Sequence, residues 1–165
     1  MIAAGEGAGP QPIADFYDLS QFASGVSELD TWLRSRAPTN EESGASRTVV
    51  LAKASRVAGY YALTVGSAAH AIAPGRVRRN MPDPVPVAIL AIDKDWQGKG
   101  LGGDMLQNAV LRTLNAAGTL GIRAMLIHAL SDEARNFYGR YGFVASSAEP
   151  YTLMATMGDL RKAFA

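Results

Sequence analysis

Apolar residues along this chain recur at two spacings, and the spacings divide it into strands and helices. Val85 to Ile92 is the most apolar stretch and predicts a central strand, with Pro86 marking an early bulge or edge position. Ala124 to Ala129 predicts a second buried strand. Ser46 to Ala52 and Val57 to Val65 are rich in Val, Thr and Tyr, and Ser55-Arg56 between them suits a hairpin turn. The helical spacing appears from Gly100 to Ala117, with Gly118 as the stop. A shorter helix runs from Ser27 to about Arg36. Ser27 would cap it with Asp30 as reciprocal partner, and Leu29, Trp32 and Leu33 would form its buried stripe. Ser131 caps a further helix, with Asp132 and Glu133 in its first turn and its end near Gly142. Two short strands, Phe143 to Ala145 and Tyr151 to Met157, finish the sheet. Residues 73 to 84 hold Pro74, Pro82 and Pro84 and predict an ordered loop without regular structure. The order is mixed α/β, with helices interrupting a mostly β core.

The 165 residues suffice for one domain with a real core. Met1 to Pro12 is Gly/Ala-rich and lacks a basic stretch followed by an apolar one. Residues 1 to 15 are therefore taken as a flexible tail and 16 to 165 as a single domain. No apolar run approaches the ~18 residues of a membrane helix, so a cytoplasmic protein without a membrane partner is expected. Cysteine is absent, which excludes a cysteine nucleophile, an iron–sulfur cluster and a thiolate zinc site. The only histidines are His70 and His128, too few for a histidine-rich metal site, so no metal is expected. His128, at a strand end, is read as a packed or hydrogen-bonded residue. A net charge of +1 says nothing about partners, but its distribution does. From Ser43 to Pro82 there is no Asp or Glu, yet Arg47, Lys53, Arg56, Arg76, Arg78 and Arg79 all lie there. Arg34 and Arg36 stand just upstream. Such asymmetry either attracts a polyanion or forms a solvated face.

The candidate chemistry starts at Trp96-Gln97-Gly98-Lys99-Gly100-Leu101-Gly102-Gly103, a glycine-rich turn between a strand and a helix. Unpaired N–H groups at a helix start make an anion site. The segment formally fits G-x-G-x-x-G, but a dinucleotide fold also needs an acid at the end of the next strand. That strand ends Ile127-His128-Ala129, without one. A P-loop needs Ser or Thr after its lysine, and Lys99 is followed by Gly100. Gln97-x-x-Gly100-x-Gly102 instead resembles motif A of the GNAT (Gcn5-related) N-acetyltransferases. The resemblance implies that Gln97, Gly98, Lys99, Gly100, Leu101 and Gly102 hold the pyrophosphate of acetyl-CoA. It also implies that Ala91 and Ile92, on the preceding strand, lie along the acetyl end. Asp132 to Phe143 resembles motif B, with Phe137-Tyr138 and then Gly142-Phe143. This implies Tyr138 as the acid that protonates the departing CoA thiolate, with Asn136 contacting CoA. A phenol with a pKa near 10 is a sensible acid for that task. Tyr141 fits a packing position. The fold implied is the GNAT fold, a central twisted mixed sheet flanked by helices.

The tRNA-acetylating toxin branch of that family is similar over nearly everything from Phe22 to about Leu160. The resemblance is carried by Gly44-Ala45-Ser46-Arg47-Thr48, Gly59-Tyr60-Tyr61-Ala62-Leu63, Ala73 to Val87 and His128 to Ala134. It implies an acceptor, the α-amine of aminoacyl-tRNA, whose acetylation blocks translation. It further implies a ribbon-helix-helix antitoxin as partner and a homodimer. Arg76, Arg78 and Arg79 are the first candidates for tRNA phosphate contacts, then Arg34, Arg36 and Arg47. An α-amine has a pKa near 8, and an adjacent ester lowers it, so no strong general base is needed. Two other readings stay open: a GNAT enzyme acting on a small amine or protein, and a non-catalytic module that binds RNA or an antitoxin. One departure stands out. Ile89-Leu90-Ala91 runs straight into Ile92-Asp93, a few residues shorter than the branch's pattern.

Overall fold

The tight hairpin that the chain's pattern predicts is present, with its turn one residue earlier than Ser55-Arg56. In the computed structural model, which describes residues 9–66 and 85–164, β2 (Ser46–Lys53) and β3 (Arg56–Gly66) are joined by Ala54 and Ser55 alone. β1 (Gln11–Pro12), β4 (Val85–Ile92), β5 (Ala124–His128), β6 (Val144–Ala145) and β7 (Thr152–Thr156) complete one sheet, ordered β1-β2-β3-β4-β5-β7-β6. β4 and β5 are parallel, with Val87 level with Leu126 and Ala88 with Ile127. β5 and β7 are antiparallel, as are β6 and β7, and β1 and β2. The sheet is therefore mixed. The helices are α1 (Ser27–Ser35), α2 (Ala37–Ser43), α3 (Leu101–Ala117), α4 (Asp132–Gly139) and α5 (Met157–Phe164). β4 is continuous to Ile92 despite its shortness.

The chain divides into two compact units. The first holds the residues up to Leu63 together with Leu90–Ala109. Its core includes Phe22, Leu33, Leu51, Tyr60, Tyr61, Met105 and Leu106, all essentially removed from water. Three consecutive residues of β3 organise it. Gly59 leaves room for β4, since a Cβ there would lie 2.7 Å from Ile92 Cδ1. Tyr60 stacks on Trp32 of α1 at 5.9 Å and donates its hydroxyl proton to the Leu29 carbonyl. Tyr61, pointing to the other face as strand geometry requires, hydrogen-bonds Asn108 of α3 at 2.6 Å. The second unit holds Thr64–Ile89 and Val110 onward. Its core is built on Met125, Leu126 and Ile127 of β5 and Leu153 and Met154 of β7.

Several expectations change. Ser27 does not cap α1. The N-cap is Val26, and Asp30 turns its carboxylate to Ser24, whose N–H and Oγ both bond Oδ1, at 2.9 and 2.7 Å. The start of α1 moves one residue upstream, and the chain enters the helix through this side-chain turn. The tail is not free over its whole predicted length. Gln11 and Pro12 pair with Val50 and Val49, and Ile13 N–H donates to the Thr48 carbonyl. β2 would otherwise present an open edge. Pro86 lies within an interior strand, not at an edge. α2 and α5 carry no clear sequence signal. α2 is polar and buries only Ala37, and α5 starts Met157-Gly158, its turn held by Thr156 Oγ1 accepting from Asp159 N–H. His70 and residues 67–84, including Arg76, Arg78 and Arg79, lie outside the described residues.

Ala54, at the first turn position, has φ +55°, a conformation that favours glycine. Ala54→Gly is expected to stabilise the protein by about 0.5–1 kcal/mol, measured as a higher denaturation midpoint with an unchanged m-value.

Candidate active site

The glycine loop hangs from a buried carboxylate. Asp93 follows β4 directly and is 2% exposed. Its Oδ2 accepts from Ala23 N–H at 3.0 Å and its Oδ1 from Asp95 N–H at 2.9 Å. The Arg56 guanidinium completes the shell, 3.4 Å from Asp93 and 2.7 Å from Asp95. The Asp93 N–H bonds the Ala58 carbonyl of β3, and Lys94 N–H bonds the Ala23 carbonyl. The end of β4 is thus fixed to β3 on one side and to the segment entering α1 on the other. A 3₁₀ turn, Lys94–Trp96, follows with Asp93 as its N-cap.

Gln97 continues the same clamp. Its Nε2 donates to the carbonyls of Ser24 at 2.7 Å and Ile92 at 2.8 Å. Its amide therefore braces the loop from behind, and its side-chain donors are spent within the protein. Gly98 and Gly100 have φ of +77° and +83°, and a Cβ at either would meet nothing within 4 Å. They provide a left-handed backbone and open approach together. The first helical bond of α3 runs from Asp104 N–H to the Gly100 carbonyl. The N–H groups of Leu101, Gly102 and Gly103 precede any intrahelical acceptor and belong to the positive end of the helix dipole. Beside them Trp96 carries the Lys99 ammonium 5.5 Å from its ring centroid.

In the second unit, α4 carries Tyr138 and Asn136. Ser131 caps it, accepting from Ala134 N–H at 3.0 Å. Tyr138 is 3% exposed, edge-on to Phe137 and Phe143. Burial pushes its phenol well above its ordinary value, because a phenolate there would lose its hydration. The group is held neutral. Asn136, two residues earlier, is exposed. Tyr141 packs between Phe137 and Phe164, the role its spacing suggested. His128 Nδ1 lies 3.0 Å from Thr152 Oγ1, the hydrogen-bonded setting its strand-end position suggested, and partial burial lowers its pKa.

The arginines separate. Arg34 donates to the Phe22 carbonyl at 2.9 Å. Arg47 pairs with Glu41 at 2.8 Å and also donates to the Glu41 backbone carbonyl. Arg56 is taken by Asp93 and Asp95. Arg36 stands exposed at the junction of α1 and α2. Within the acid-free stretch, at least two basic residues are thus met by acids from outside it.

The model of the acetyltransferase (GNAT) domain matches residues 44–145, more than half of the chain and including both the loop and α4. The chain belongs to the GNAT acetyltransferase family. Among its GNAT relatives is the tRNA-acetylating toxin of Mycobacterium tuberculosis (strain ATCC 25618 / H37Rv), 50% identical over 155 residues, covering 92% of this chain and 93% of that protein. The fold is that of solved AtaT toxin structures. AtaT complexed with acetyl-methionyl-tRNAfMet superposes with a TM-score of 0.78 at 23% identity, covering 94% of this chain and 98% of that one. A mutant AtaT bound to the C-terminus of the antitoxin AtaR and acetyl-CoA gives 0.76 at 22%, covering 94% and 96%. For this GNAT chain, motif A was legible as glycines. The clamp of Asp93, Arg56 and Gln97 was not, because its partners are dozens of residues away. The one local hint was an acid between an apolar strand and the turn.

Asp93→Ala leaves the N–H groups of Ala23 and Asp95 and the Arg56 charge without their acceptor. A loss of about 2–3 kcal/mol is expected, read by chemical denaturation, whereas Asp95→Ala, at an exposed carboxylate, should cost well under 1 kcal/mol.

Proposed function

We propose that this protein is an acetyl-CoA-dependent N-acetyltransferase that acetylates the α-amine of aminoacyl-tRNA and so blocks translation. In this reading a ribbon-helix-helix antitoxin neutralises it, and it acts in the cytoplasm as a homodimer of one acetyltransferase domain, residues 16–165. The observation that carries the reading is 50% identity, along nearly the whole chain, to a tRNA-acetylating toxin. The donor site is consistent with it: open left-handed glycines and a helix start suit a pyrophosphate without a metal.

Gly98 to Gly102 would hold the pyrophosphate through backbone N–H groups, with Gln97 bracing them and Asn136 a further contact. Ala91 and Ile92 would line the acetyl end, where a strand N–H stabilises the carbonyl oxygen. Acetyl-CoA supplies a thioester. As the amine nitrogen bonds to the acyl carbon, the carbon–sulfur bond breaks. Tyr138 gives its phenolic proton to the sulfur and recovers one from water, while the amine loses its proton to water. Arg36, Arg76, Arg78 and Arg79 are proposed as tRNA phosphate contacts. Arg34 and Arg47 are secondary, being partly engaged within the protein.

Labelled acetyl-CoA incubated with total charged tRNA should yield label on the α-amine of aminoacyl adenosine after nuclease digestion. Tyr138→Phe should lower that rate about 100-fold or more while leaving CoA affinity nearly unchanged. A wild-type rate in this variant would remove Tyr138 from its role. Reversing the charge at Arg78 and Arg79 should strongly lower transfer to tRNA and flatten the salt dependence of what remains. Unchanged activity would favour a small-amine or protein acceptor.

A further inference from the structure

Glu28, Trp32 and Arg36 stand four residues apart along α1 and its C-cap. In a helix that spacing makes a row, with steps of about 6 Å along the axis. The row borders an open groove of about 510 Å³, which Ser27, Thr31 and Ser35 complete. Of the stripe expected to be buried, Leu33 is removed from water, but Trp32 is only half-buried. Tyr60, stacked on it with ring planes 7° apart, covers part of the indole and fixes its plane. Tyr60 is itself wholly buried and tied to the Leu29 carbonyl of the same helix. The indole is thus a rigid ring that still lines the groove. Glu28 and Arg36 are exposed, and neither side chain has an ion pair or hydrogen bond with the described residues.

A fixed aromatic ring between an uncommitted carboxylate and an uncommitted guanidinium matches an unpaired nucleotide. Aromatic side chains stack on free bases, which a double-stranded stem does not offer. A carboxylate accepts from the exocyclic amine of a base, and a guanidinium takes a phosphate. The place of the ring narrows the choice. Gly59, next to Tyr60, lies against β4, where a Cβ would be 3.4 Å from the Ala91 carbonyl oxygen and 2.7 Å from Ile92 Cδ1. The indole is therefore one ring away from the part of the sheet assigned above to the acetyl end. In aminoacyl-tRNA the amine to be acetylated is carried by the terminal ribose, so the base of that nucleoside must lie close to the same end. We propose that Trp32 stacks on the 3′-terminal adenine of the acceptor, with Glu28 on its exocyclic amine and Arg36 on the phosphate before it. This rests on the aminoacyl-tRNA reading and supplies the means by which the chain tells a charged tRNA from a free amine.

The test uses the full chain and deacylated tRNA, either complete or lacking only its terminal adenosine. Wild-type protein should bind complete tRNA about ten-fold more tightly than the shortened form. Complete tRNA should also quench tryptophan emission, and the shortened form should not. Trp32→Leu fills the space beside Tyr60 without an aromatic face. It should bind both RNAs alike, with the wild-type affinity for the shortened one and an unchanged affinity for CoA. Trp32→Phe should keep part of the preference. A wild-type protein without preference or quenching overturns the proposal, as does a Trp32→Leu variant that keeps the preference. Equal weakening of both RNAs by Trp32→Leu overturns it too, since the indole would then serve the fold or the body of the tRNA. Binding of neither RNA by the wild type is a different failure, because it removes the tRNA reading itself.

Discussion

A carboxylate taken out of water must find several donors, and the Asp93 carboxylate finds them on three separate stretches of chain. Ala23, Asp95 and Arg56 converge on it because β4 ends where it does. That convergence determines where β4 stops, how the 3₁₀ turn starts and how the segment before α1 is held. Gln97 repeats the logic with carbonyls in place of N–H groups. The glycines that follow need a rigid frame, since a left-handed backbone with open space around it has no packing of its own. Flexibility of composition and fixity of position are therefore supplied by different residues a few positions apart.

The same division of labour appears in β3. Gly59 contributes absence, letting Ile92 close in, while Tyr60 and Tyr61 reach to α1 and α3 from opposite faces. Their hydroxyls end on a helix carbonyl and on an asparagine amide oxygen, so neither polar end is buried alone. The helices on both faces are registered against one strand. A shift of one residue in that strand would turn every side chain to the other face and break both contacts.

In α4, burial both packs Tyr138 and sets its chemistry. With no hydration to stabilise a phenolate, the buried phenol keeps its proton. The charge pattern gives the opposite lesson. A run without acids along the sequence suggested a positive face, yet Glu41 reaches Arg47 and Asp93 and Asp95 reach Arg56. Linear charge becomes surface charge only after folding has chosen the neighbours.

By itself, the sequence determined the local features. The extent of α3 with its stop at Gly118, the Ser131 cap, the β2–β3 hairpin and the glycine turn all rest on contacts within a few residues. Motif spacing likewise identified the acetyltransferase family, because the two motifs are local strings. The tertiary structure decided what depends on residues far apart in the chain. It moved the α1 entry from Ser27 to the Ser24–Asp30 turn and drew Gln11 and Pro12 out of the tail onto β2. It also made Gln97 a brace and stacked Trp32 on Tyr60. Hydrogen-bond partners for buried groups are chosen by proximity in space, and no periodicity along a chain encodes which distant carbonyl, carboxylate or ring arrives there.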